Sequence, residues 1–421
     1  MVLSLDVRKA RKGDCLLLHY GTRNDPGLAV IDGGPADDYV PQLKPRFAQI
    51  RAARGMAVGD TLPVDLLMVS HIDDDHIRGV LELTGELVVA AAERRPLPLK
   101  IRDLWHNTFD DVLDKSPKEL VAAVTAAFGA ASLEAVPDVE GIDPDAARVL
   151  ASVPQGIRLR DDARRLNLRL NSELHGHLIM ATAGAPSLEM GKGLSFFVAG
   201  PLKTDLVALQ RAHDDFLRKR RDEQRTPAAL ASFTDDSIPN LSSLVVLAEC
   251  GGRRILLTGD ARGDKILTGL ELAGAVAPGG RLKVAVLKMP HHGSDRNVAA
   301  AFFERVVADH YVFSGNGENG NPERATIEML FQARGNSAYT VHLTYPVDQI
   351  DVERKKDWEK EQRKEKDRRR RNPNVVVRPD WSPADHSLGA FLADRPAFAR
   401  KIRVVPEGEA HVIDTLDPLG F

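Results

Sequence analysis

Cysteine is scarce in this sequence, and the two that occur, Cys15 and Cys250, lie in apolar segments with no CxxC pair. That excludes a disulfide framework and a thiolate zinc knuckle, and it suits a reducing compartment. Long apolar runs are lacking too: no stretch reaches the roughly eighteen residues of a membrane-spanning helix. The first fourteen residues carry Arg8, Lys9, Arg11 and Lys12 without the apolar stretch of a signal peptide. A cytoplasmic chain with no membrane partner is expected. Charge of one sign is also missing. Lys and Arg total 57 against 60 Asp and Glu, a net of −3, so no global basic field advertises nucleic acid and any such site has to be local.

What is present is globular: 43% apolar and 28% charged residues over 421 positions, ample for a buried core. Short apolar runs at Leu3–Val7, Cys15–Tyr20, Leu28–Ile31 and Leu66–Val69, separated by Gly, Asp and Pro breaks, read as strands, with a helix over Val40–Arg54. Residues 80–240 turn mainly helical and Ala-rich, with one long charged helix expected at Lys203–Arg225, and are taken as an insertion or lid. Strand signals return at Ser243–Ala248 and Arg254–Leu257. An alternation follows, of strands Leu282–Lys288, Tyr311–Ser314 and Thr340–Leu343 with helices Val298–Val307 and Ala325–Ala333. A layered α/β domain is implied. Arg354–Arg371 holds eleven basic and five acidic residues, a net of +6, with Trp358 its only large apolar side chain. It has no face to bury, so it is a solvated helix or a disordered arm. The excursion 347–399 separates Thr340–Leu343 from Arg400–Val405, which read as partners of a closing strand pair.

Three strand ends carry the chemistry. The first is Ser70-His71-Ile72-Asp73-Asp74-Asp75-His76, where imidazole and carboxylate groups converge on a strand-to-helix loop and suit Zn²⁺ or Mn²⁺. Acidic residues there have a plainer use, capping the helix that follows. The second is the strand running into Thr258-Gly259-Asp260, and the third runs into Pro290-His291-His292-Gly293-Ser294. Open α/β sheets place ligands at such carboxyl ends.

His71-x-Asp73-x-Asp75-His76 resembles the metal-binding signature of the metallo-β-lactamase fold, with Asp73 where the commonest version has His. Asp32-Gly33-Gly34, Asn240-Leu241-Ser242-Ser243-Leu244, Pro290-His291-His292-Gly293-Ser294 and Ser314-Gly315-Asn316 through Asn321-Pro322 are together similar to the hydrolase domain of ComEC-type competence proteins. The likeness covers roughly residues 1–80 and 240–345, with a final strand near Arg400–Ile413. It implies a single αββα sandwich over 1–421, with the helical insertion and charged excursion already noted. It further implies one or two Zn²⁺ ions, Mn²⁺ being the alternative, with His71 and Asp73 on one metal, Asp75 and His76 on the other, and Asp260 bridging. His291 completes a site; His292 is either a further ligand or an outer partner. Asp32 orients a ligand histidine rather than binding metal. Asp75, His76 and Asp260 then form the catalytic group.

The implied activity is a metallo-hydrolase, a phosphodiesterase or nuclease whose nucleophile is a hydroxide held between the metals. Lys288, Ser294 or Asn316 would donate to the transition state. Nucleic acid is the expected substrate, approached through the basic stretches Arg218–Arg225 and Arg354–Arg371. Two other readings stay open, a weakly catalytic metal-binding regulator and a hydrolase of small phosphate esters. Cleavage of the excursion by a protease is a further possible control. Two departures from the family stand out: Asn321 replaces an expected histidine, and His106, His175, His177 and His213 lack the strand context of the histidine usually found between the halves. The membrane channel of the competence proteins is absent.

Overall fold

The computed structural model describes residues 1–107, 144–208, 242–406 and 408–421. Most of the Lys203–Arg225 helix, His213, Asn240 and Leu241 lie outside them. The first half begins with strands Val2–Val7 (β1), Leu16–Gly21 (β2) and Pro26–Ile31 (β3), followed by helix Lys44–Ala53 (α1) and strand Leu62–Met68 (β4). Helix Asp74–Ala92 (α2), strand Leu99–Trp105 (β5), helix Pro144–Arg165 (α3) and strand Arg169–Leu170 (β6) come next. These strands build one sheet in the order β6, β5, β4, β3, β2, β1, antiparallel through β1–β3 and parallel from β3 to β6.

The second sheet repeats this plan. It opens with strands Leu188–Gly191 (β7), Leu194–Gly200 (β8), Val245–Cys250 (β9) and Arg253–Leu257 (β10). Helix Gly263–Leu272 (α4), strand Leu282–Lys288 (β11), helix Ala300–Arg305 (α5), strand Val306–Phe313 (β12), helix Arg324–Arg334 (α6) and strand Thr340–Leu343 (β13) follow. Here too an antiparallel part, β7–β10, passes into a parallel part, β10–β13. The charged excursion is helix Val347–Arg371 (α7) with short helices Pro383–His386 (α8), Leu388–Ala393 (α9) and Pro396–Ala399 (α10). After it, Ile402–Val404 (β14) pairs in parallel with β13, and His411–Asp414 (β15) closes the first sheet against β1.

Alternation along the strands decides the layering. Leu16, Leu18 and Tyr20 join Leu66, Trp105, Phe196, Val246, Ile255 and Val312 in an apolar layer fed by both sheets. Leu17, Leu28 and Val30 instead meet Phe47, Val80 and Leu159 of α1, α2 and α3. The outer face of the second sheet packs on Ile266, Phe302, Ile327, Ile350 and Phe391 from its own helices. The order is therefore helices, sheet, sheet, helices. The described residues between 80 and 240 contain, besides helix, strands of both sheets: β5 and β6 of one and β7 and β8 of the other. β5 escapes a composition reading because exposed Lys100 and Arg102 alternate with buried Leu99 and Ile101.

At the β13–β15 edge, three histidines join the sheets. His310 Nδ1 lies 3.0 Å from His342 Nε2, and His342 Nδ1 lies 2.8 Å from His411 Nε2. Burial pushes His342 down to about 2, with His411 and His310 adding to it, and burial pushes His411 down to about 4, so both rings are neutral.

Helix α7 owes its form to its charges. Pairs Glu353–Lys356, Lys355–Glu359 and Glu361–Lys364 sit one turn apart, and four arginines occupy the last turn, where the dipole favours cations. It is docked as well as solvated. Ile350, Arg354 and Gln362 are buried, Arg354 Nε donates to Gly320 O, and the Trp358 ring packs on His386 and Trp381.

Candidate metal centre

β4 lies in the parallel part of the first sheet, and β10 and β11 lie in that of the second. Their carboxyl ends open at a common edge, where Leu244 N donates to Ser70 O. Beyond β4 the chain turns into α2 with Asp73 at the N-cap position. Its side chain makes no capping hydrogen bond, so capping does not account for it. Gly33 and Gly79 let α2 lie directly on the loop after β3: a Cβ on Gly33 would meet Val80 N at 2.3 Å, and one on Gly79 would meet Gly33 O at 2.0 Å. This close approach, with Gly33 N donating to His76 O, puts His76 beside Asp32.

Asp260 stands at the middle. His71 Nε2 and His291 Nε2 lie 3.7 and 3.6 Å from its Oδ2, while His76 Nε2 and His292 Nε2 lie 3.3 and 3.5 Å from its Oδ1. Asp73 Oδ2 is 3.7 Å from His71 Nε2, and Asp75 Oδ2 is 3.7 Å from His292 Nε2. Each ring is held from behind at Nδ1. Ser70 Oγ is 3.0 Å from His71, Asp32 Oδ2 is 2.8 Å from His76, and Asn297 Oδ1 is 2.9 Å from His291. Ser314 Oγ at 3.0 Å and Asp14 Oδ1 at 3.2 Å hold His292. His291 and His292 both adopt left-handed backbone, with φ of 46° and 55°. A conformation costing about 1–3 kcal/mol per residue persists where surrounding structure imposes it.

Buried Nε2 atoms of His71, His76 and His292 and Oδ1 of Asp260 make no hydrogen bond. Buried polar atoms are ordinarily satisfied, so this inward ring of acceptors asks for a cation. Spacings of 3.3–3.7 Å compare with about 3.3 Å between ligands of a tetrahedral ion with bonds near 2.0–2.1 Å. Among the described residues, buried Asp14, His76, Asp260 and His292 place ligand atoms within 4.8 Å of one another, a group able to hold a metal ion. Asp14 is already engaged on both oxygens, with Lys288 Nζ at 2.7 Å, Ser314 Oγ at 2.6 Å and the His292 ring. The electrostatics agree. Burial opposes charge throughout, yet Asp260 and Asp14 outweigh it and lift His292 to about 9. Asp260 and Asp32 likewise outweigh burial and lift His76 well above its usual value.

Other expected residues fall elsewhere. Lys288 is 1% exposed, bound to Asp14 and to Met289 O, so it stands behind His292 rather than in the cleft. Asn316 spends both ends of its amide on Glu318, organising its own turn, and Ser294 is buried with its backbone N on His291 O. Asn321 is buried beneath Gly315, with its Oδ1 lacking a hydrogen bond. His106 does have strand context, directly after β5 and beside β4, and is buried, whereas His175 and His177 are not. Sequence reasoning passed over Asp14 and Asn297, and it quoted Ser70 and Ser314 as motif positions without giving them a role. No protein-family model matches the chain, and no curated protein matches it.

Proposed function

We propose that the chain is a metal-dependent hydrolase of metallo-β-lactamase fold that cleaves phosphodiesters, with nucleic acid as substrate. The observation that carries this reading is the division made by Asp260. His71 and His291 gather at Oδ2 with Asp73 beside them, and His76 and His292 gather at Oδ1 with Asp75. These residues would hold two divalent ions, Zn²⁺ or Mn²⁺, with Asp260 between them. Such ions supply Lewis-acid stabilisation of phosphate charge and a nucleophile drawn from water at neutral pH.

The chain's own contribution is preorganisation. Asp32, Ser70, Asn297, Ser314 and Asp14 fix the four rings with Nε2 inward, so little reorganisation is needed on binding. Divalent ions at the cleft would attract the charged oxygens of an anionic substrate more strongly than a neutral lactam or ester. The competence-like motifs narrow that to phosphodiesters. Exposed Arg368–Arg371 at the far end of α7 would add salt-sensitive, sequence-independent contacts to a polyanion. Asn321, standing where the family has histidine, favours the second reading, a metal-binding regulator with weak catalysis.

Elemental analysis paired with hydrolysis of DNA, RNA and bis(p-nitrophenyl) phosphate decides between them. The expected result is about two metal ions per chain, with Asp260→Ala losing both and Asp75→Ala losing one together with hydrolysis. Metal without hydrolysis of any of these leaves the regulator, and hydrolysis of the small ester alone replaces nucleic acid as substrate. A chain that takes up neither Zn²⁺ nor Mn²⁺ would sink both readings.

A further inference from the structure

The two halves of the cluster offer a metal the same donors. Each has two imidazole Nε2 atoms, one carboxylate and one oxygen of Asp260: His71, His291 and Asp73 at Oδ2, and His76, His292 and Asp75 at Oδ1. A difference in affinity between them therefore has to come from what stands behind the rings. There the halves are unlike.

Carboxylates stand behind the Oδ1 half. Asp32, after β3, lies 2.8 Å from His76 Nδ1, and Asp14, before β2, lies 3.2 Å from His292 Nδ1; each is 1% exposed. Ser314 Oγ donates to Asp14 at 2.6 Å, so the charge on that side is the Asp14 carboxylate's, tempered by Lys288 Nζ at 2.7 Å on its other oxygen. Asp32 meets the neutral Ser70 amide and hydroxyl instead and is the stronger holder.

Neutral groups stand behind the Oδ2 half. Ser70 Oγ donates to Asp32 Oδ2 at 2.7 Å, which leaves a lone pair for His71 Nδ1 at 3.0 Å. Asn297 Nδ2 donates to Asp260 O at 3.1 Å, which turns its Oδ1 to His291 Nδ1 at 2.9 Å. Such partners orient a ring, whereas a carboxylate also raises its basicity and adds attraction for a divalent ion. The His291 side chain is 30% exposed, against 0% for His76 and 2% for His292, so solvent screens the Oδ2 half more.

We propose that the centre loads in a fixed order: the Oδ1 half holds its divalent ion tightly, the Oδ2 half exchanges its own with the surroundings, and occupancy of the Oδ2 half sets how much of the protein is active. This rests on the two-metal phosphodiesterase reading above.

The test equilibrates the full chain, loaded with Zn²⁺, against chelator-buffered solutions of falling free Zn²⁺. Metal per chain, circular dichroism and hydrolysis of bis(p-nitrophenyl) phosphate are measured at each concentration. Wild type should lose its ions in two steps at least about tenfold apart, with hydrolysis falling at the first loss. His291→Ala should abolish the weak step and keep the tight one in place, and His76→Ala should abolish the tight step. Asp32→Asn should move the tight step to about 10- to 100-fold higher free Zn²⁺, and Asn297→Ala should move the weak step alone. Loss of both ions in a single step from wild type overturns the proposal, as does a tight step that survives in His76→Ala and vanishes in His291→Ala. Equal displacement of both steps by Asp32→Asn, or hydrolysis that persists after the weak step, overturns it as well. If a chain holding two ions hydrolyses no phosphate ester, the phosphodiesterase reading fails, while metal content still decides the order of loading.

Discussion

Each inward-facing imidazole has a different holder, and the holders set how far a single substitution should reach. Asp32 binds His76 Nδ1 and also takes both the Ser70 amide and hydroxyl, so it steadies the residue behind His71 as well. Asp32→Ala should therefore lower metal affinity or activity by about 10- to 100-fold without removing a ligand; metal titration by calorimetry on wild type and variant checks this, with circular dichroism to show an intact fold. The imidazoles that gather around Asp260 could be picked out because His71–His76 and His291–His292 are contiguous at strand ends. Asp14 could not. Its partner His292 is 278 residues away, and Gly13-Asp14 reads locally as a turn. Lys288 misled for the complementary reason: a lysine at a strand end looks solvated until Asp14 is seen beside it.

Among elements, β1, β2, β3 and β11 could be placed from sequence because each is a short, largely apolar stretch, while β5 to β8 were hidden by charge alternation, short length and an Ala-rich surrounding. Helix α7 shows the limit of amphipathic reading. Its stability comes from one-turn ion pairs and from Trp358 folding against Trp381 and His386, contacts made with chain that lies beyond it. Arg368–Arg371 are exposed, whereas docking is through Ile350, Arg354 and Gln362. Limited trypsinolysis should cut at the arginines and leave hydrolysis unchanged, since both cut ends stay anchored; activation after verified cleavage would instead support control by a protease. The histidine chain joining β12, β13 and β15 predicts a pH effect. Folding holds His411 and His342 neutral, at about 4 and about 2, against roughly 6.5 unfolded. Their stability is complete above the unfolded value and is lost as pH falls toward the folded ones, by up to about 1.4 kcal/mol per pH unit for each ring. Urea denaturation at pH 7.5 and 5.5 should show His342→Asn losing part of that slope, the wild-type comparison cancelling the oppositely shifted histidines of the metal cluster.

Over the whole molecule, the two sheets repeat one plan, and each contributes one side of the cluster: Asp14, His71, Asp73, Asp75 and His76 from the first, Asp260, His291 and His292 from the second. Metal bound to the folded state alone adds about 2.7 kcal/mol at a hundredfold excess over Kd. Chelation should accordingly lower Tm by about 3 °C or more in a thermal scan, with recovery on adding Zn²⁺. Both cysteines are free, so no disulfide joins the sheets; they meet in the apolar layer where Trp105 packs edge-on against Phe196 at 5.4 Å. Strand residues advance by about 3.3 Å, whereas ligand distances tolerate about 0.2 Å. The cluster is thus a vernier for the sandwich, reading out far smaller misalignments of its two leaves than the packing itself would register.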